Sequence, residues 1–79
     1  MKIRKAIINN QQEKIYLYEN KKEEYTIIAI PIIEWSFKVD YEQDAETLKS
    51  ILYSSLKSHT NADTSQDLTN KISQWVREM

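Results

Sequence analysis

Asp40, Glu42, Asp44 and Glu46 alternate along the chain as oxygen donors do at the start of a calcium loop. Such a loop must turn sharply on a glycine at its sixth position and close with a bidentate glutamate at its twelfth. Counted from Asp40, those positions are Ala45 and Ile51, so the match fails at both discriminating places. A solvated helix start accounts for the carboxylates better, because negative charge is favourable at a helix N-terminus. His59 is the one imidazole in the chain, and Ser54, Ser55 and Ser58 lie close to it in sequence. A hydroxyl and an imidazole are two parts of a nucleophilic site, but no third group stands out to orient the base. The end of a helix is the simpler place for His59, where a cation can meet exposed carbonyls.

A different chemistry is suggested by Tyr16 and Tyr18, with Lys14, Arg4 and Lys5 nearby. Sheets that bind single-stranded nucleic acid stack bases on aromatic side chains and hold phosphates with cations. Against this reading stand the net charge of −1 and the acidic residues Glu13 and Glu19 flanking the pair. Cross-strand packing, or burial in a dimer interface where tyrosine is enriched, explains the same residues. Trp35 and Trp75 could line a pocket, but aromatic side chains more often fill a small core. Lys21, Lys22, Glu23 and Glu24 read as a solvated turn of mixed charge.

What is missing narrows the chemistry further. The 79 residues include no glycine, no cysteine and a single histidine. Phosphate-cradling loops, dinucleotide fingerprints and nucleophile elbows depend on glycine where the backbone bends sharply or approaches a ligand. Thiolate zinc sites, disulfides and redox pairs depend on cysteine. No catalytic residue, metal site or cofactor is therefore expected, and the residues point to a binding protein.

The elements that position these side chains follow from the hydrophobic period. Residues 3–8 and 15–18 read as two strands joined by a polar break at Asn9, Asn10, Gln11 and Gln12; asparagine tolerates the left-handed backbone that glycine would otherwise supply. Residues 25–30 form a third strand, halted by Pro31, which has no N–H to give to a ladder. In the fourth, Trp35, Phe37, Val39 and Tyr41 alternate with Glu34, Ser36, Lys38 and Asp40. The period then changes. Ala45, Leu48, Ile51, Leu52 and Leu56 share one face of a helix at residues 44–58, and Leu68, Ile72, Trp75, Val76 and Met79 one face of a second at 64–78. Asn61 is expected to stop the first helix in a left-handed conformation, and Asp63 or Thr64 to cap the second.

The predicted fold is α+β: a four-stranded antiparallel meander within residues 2–41, then two amphipathic helices packed on one face, ββββαα. At 79 residues it is expected to be a single domain spanning 1–79. Its core should contain Trp35, Phe37, Val39, Leu48, Leu52, Ile72, Trp75 and Val76. Two helices cover one face of a small sheet. The other is expected to carry Tyr16, Tyr18, Ile28 and Ile30 as an interaction surface. A chain this short buries only about 60% of its unfolded surface, and without disulfide or metal it is expected to gain stability by association, as a homodimer or with a protein partner. Single-stranded nucleic acid is the alternative partner. The longest apolar run, residues 27–33, is interrupted by proline and far short of a spanning helix or signal sequence, which predicts a cytoplasmic protein without membrane contact.

The stretch ENKKEEYTIIAIP at residues 19–31, the MKIRKA start, the Trp35 strand and the KISQWVREM ending together resemble the YueH-like family of small Bacillus-group proteins. The resemblance covers nearly the whole chain. It implies a free-standing cytoplasmic bacterial protein and assigns no activity, cofactor or catalytic residue to any position.

Overall fold

Asn9 and Asn10 both have positive φ, 53° and 65°, the conformation of a two-residue primed turn whose twist matches that of the strands it joins. In this computed structural model, which describes residues 1–78, that turn joins β1 (Lys2–Ile8) to β2 (Gln11–Asn20). The polar break is thus two residues long, and Gln11 and Gln12 belong to the second strand. A turn follows in which Asn20 Oδ1 accepts from the Glu23 N–H at 3.0 Å and Glu24 takes φ of 60°. It leads into β3 (Tyr25–Ile30). Pro31 ends that strand and opens the short 3-10 turn Pro31–Ile33. Glu34, left-handed at φ 50°, closes the turn by donating its N–H to the Pro31 carbonyl at 3.0 Å. β4 (Trp35–Asp40) completes an antiparallel sheet in the order β1-β2-β3-β4. At the reversals of this glycine-free sheet the left-handed positions fall on Asn9, Asn10, Glu24 and Glu34, with Pro31 opening the last turn.

Two helices follow the sheet, giving the α+β order ββββαα. α1 (Ala45–Lys57) is capped by Asp44, whose carboxylate accepts from the Thr47 N–H at 2.9 Å and from the Thr47 hydroxyl at 2.8 Å. α2 (Ala62–Glu78) begins earlier than its hydrophobic pattern indicates. The reason is Asn61. Its side-chain oxygen accepts from the Thr64 N–H at 2.7 Å, so Asn61 caps the second helix and does not stop the first. α1 ends instead on tightened hydrogen bonds, with the His59 and Thr60 N–H groups both donating to the Leu56 carbonyl at 2.8 and 3.0 Å.

The chain divides into two compact units, Met1–Glu42 holding the sheet and a second beginning at Gln43 that holds both helices. In the first, Ala6, Ile8, Ile15, Leu17, Thr26, Ile28, Ile30, Trp35 and Val39 are buried. Trp35 and Phe37 stack at 5.7 Å between ring centroids. In the second, Leu48, Leu52, Leu56, Leu68 and Ile72 are buried, joined on α2 by Ser65, Thr69 and Ser73 at intervals of four. Phe37, Trp75 and Val76 are half-buried and Ile51 is exposed, so the core relies less on aromatics than the sequence pattern predicts. Met79 lies outside the described residues.

Candidate binding face

The pairing register decides which side chains share a face of the sheet. Tyr16 stands opposite Ile3 on β1 and Ala29 on β3, and Tyr18 opposite Ile27. Leu17 stands opposite Ile28, which in turn faces Phe37, while Ile30 faces Trp35. Directly opposed residues project to the same side of a sheet. Tyr16 and Tyr18 therefore lie on one face, and Ile28 and Ile30 on the other with Ile15 and Leu17. Both isoleucines are fully buried. The expected surface of Tyr16, Tyr18, Ile28 and Ile30 is corrected on this point: the four do not form one patch. Ile8, opposite Gln11, also belongs to the buried face.

What the tyrosines do share is an open face that the sequence reading did not assemble. Ile3 and Ile7 project onto it, 53% and 55% exposed, with Tyr18 at 47% and Tyr16, Tyr25, Ile27 and Ala29 half-buried. Alternation along residues 3–8 was the available signal, since Ile3 and Ile7 must point away from Ala6 and Ile8.

The charges sort by the same rule. Lys5 and Lys14 are directly paired across β1 and β2 and both are exposed on the open face. Lys38 joins them from β4, its ammonium 4.8 Å from the centre of the Tyr25 ring and 3.8 Å from the Asp40 carboxylate. Glu13 and Glu19, odd-numbered on β2, project to the other side, and so does half-buried Arg4, opposite Ile15. The acidic flanks that weigh against an anionic ligand are thus absent from this face. The basic set is Lys5, Lys14 and Lys38, without Arg4.

The carboxylate series at residues 40–46 is split by the fold. Asp44 is committed to capping α1, and the Thr47 N–H and hydroxyl it accepts from hold its carboxyl below the usual range. Asp40 and Glu42 instead line a shallow hollow of about 280 Å³ with Lys22, Glu23, Glu24 and Tyr41. There the Tyr41 hydroxyl donates to Glu19, and that bond, with the negative charge around it, pushes the phenol up to about 12. Among the described residues, no three of histidine, cysteine, aspartate and glutamate are grouped so as to hold a metal ion. His59 is exposed beyond α1, and its backbone serves the helix end. Trp35 is buried and Trp75 half-buried, each in a different unit. Among the described residues, no helix is long and apolar enough to cross a membrane.

The family of YueH-like proteins matches residues 2–78. This chain belongs to that family. It is 48% identical over 82 aligned positions to a Bacillus subtilis (strain 168) protein that carries the description "Uncharacterized protein YueH", and the match takes in the full length of both chains. No solved structure matches the chain.

Proposed function

We propose that this protein works by binding a macromolecular partner through the open face of its sheet, and not by catalysis. The observation that carries the reading is the juxtaposition of Ile3, Tyr16, Tyr18 and Ile27 on one solvent-facing side of a four-stranded sheet, with Ile7 set apart beyond the Lys5–Lys14 pair. Scattered surface apolar residues need no explanation, but a contiguous apolar patch on a small soluble fold marks an interaction site. Tyrosine suits such a site, since it offers a rigid apolar body with a hydrogen-bonding tip.

Self-association through this face is the second reading, favoured by a chain of 79 residues without cysteine. Its weakness is charge. An isologous contact meets itself, and a face carrying Lys5, Lys14 and Lys38 against Asp40 alone is poorly matched to its own copy.

The test is a double substitution, Ile3→Glu with Tyr18→Glu, at two exposed positions, which opposes both an apolar and an anionic partner. The variant should keep its circular dichroism and melting temperature. It should lose partners that the wild-type chain captures from host extract, or show a lower solution mass by light scattering where the wild type self-associates. A variant that captures the same partners, at the same solution mass, would refute a binding role for this face.

A further inference from the structure

We propose that the occupant of the open face is single-stranded RNA, its bases stacked on Tyr16 and Tyr18 and its phosphates held by Lys5 and Lys14; this rests on the binding reading above. Three observations converge on it. The first is spacing. Tyr16 and Tyr18 are alternate residues of one strand on one face, which sets them about 7 Å apart at the strand rise of ~3.4 Å per residue. Bases in a duplex follow one another at ~3.4 Å along each strand. Successive bases can meet successive tyrosines only when they are unstacked, as in a single strand splayed over a sheet.

The second observation is charge. The chain carries a net −1, yet the face gathers three lysines against one carboxylate, and that carboxylate is paired with Lys38. Lys5 and Lys14 stand directly opposite each other across the ladder. Like charges at opposed positions destabilise a sheet. An anion between them converts that repulsion into two charge-assisted contacts. Lys38 already covers the Tyr25 ring, which leaves Tyr16 and Tyr18 as the stacking platforms.

The third is hydrogen bonding. Gln12 and Ser36 share the face with the two tyrosyl hydroxyls. All four side chains both donate and accept, which is the chemistry that recognises a ribose 2′-hydroxyl and separates RNA from DNA.

The test uses the full chain and a short fluorescein-labelled single-stranded RNA of mixed sequence, followed by anisotropy. Parallel titrations use DNA of the same sequence, the RNA duplex and poly-glutamate. Single-stranded RNA should bind in a salt-sensitive manner and more tightly than the other three. Tyr18→Ala should weaken it about ten-fold or more, the loss of one stacked base. Lys5→Gln with Lys14→Gln should reduce the slope of log affinity against log salt by about 1.4, the value for two phosphate contacts on a single strand. All these positions are exposed, and unchanged melting curves should show that the variants fold. Absence of RNA binding, binding insensitive to both sets of substitutions, or equal binding of DNA or poly-glutamate would each overturn the proposal. If RNA fails while the Ile3→Glu, Tyr18→Glu variant still loses a captured protein, the RNA assignment falls and the binding reading stands. If that variant changes nothing, both fall.

Discussion

Ile27 and Ile28 are chemically identical neighbours on β3 that the register sends to opposite faces. Truncating each to alanine therefore reads the face assignment directly. Ile28 is fully buried opposite Leu17 and Phe37. Removing its three carbons forfeits about 2.4 kcal/mol at ~0.8 kcal/mol per buried carbon group, and the cavity left behind adds to this, for a total of about 2–5 kcal/mol. Ile27 is half-buried on the open face opposite Tyr18, where water can fill the vacated space. With part of its area already in solvent and no closed cavity, the same truncation should cost about 1 kcal/mol. At ~0.05–0.15 kcal/mol per residue, a chain of this length holds about 4–12 kcal/mol in total, so Ile28→Ala removes a large share and Ile27→Ala a small one. Urea unfolding followed by far-ultraviolet circular dichroism measures both, provided the denaturant slope is unchanged between variants. Equal losses, or a larger loss at Ile27, would mean that β3 is paired with the opposite parity, and the open face described above would not exist.

Asn61→Ala should cost about 1 kcal/mol and Asn61→Gly only a few tenths, because the side-chain oxygen satisfies the Thr64 N–H at the start of α2; chemical denaturation compares the two. Asp44 ionises more readily in the folded chain than in the unfolded one. Its stabilising effect is present above the unfolded value of 3.8 and is lost as pH falls through the lower folded value, so Asp44→Asn should flatten the acid limb of a melting-temperature profile below about pH 4. The Tyr41 phenol has the opposite sign, because the folded state holds its proton more tightly. Its contribution is intact below pH 10 and lost as pH rises towards 12, and Tyr41→Phe should remove the tyrosinate absorbance transition near pH 12.

The element order was legible in the sequence because the hydrophobic period changes from two to 3.6 after residue 41, and because Asn9, Asn10 and Pro31 punctuate a chain without glycine. The separation of Tyr16 and Tyr18 from Ile15 and Leu17 was legible for the same reason, since alternation within one strand is a local property. The parity between strands was not. β3 is apolar at Ile27 and Ala29 as well as at Ile28 and Ile30, so its own pattern is satisfied with either set inward, and a shift of one residue exchanges them. Only the ladder that pairs Leu17 with Ile28 resolves this, and the pairing of β1 with β2 likewise places Ile3 and Ile7 on the tyrosine face, whereas Glu13 and Glu19 leave it by the alternation within β2 alone. Asn61 shows the limit at a helix boundary, because one residue type serves as a left-handed stop or as an N-cap, and the hydrogen bond to Thr64 selects the cap. Local periodicity determined what each segment is. Long-range pairing, which single-strand periodicity does not encode, decided which side chains meet and where a partner could bind.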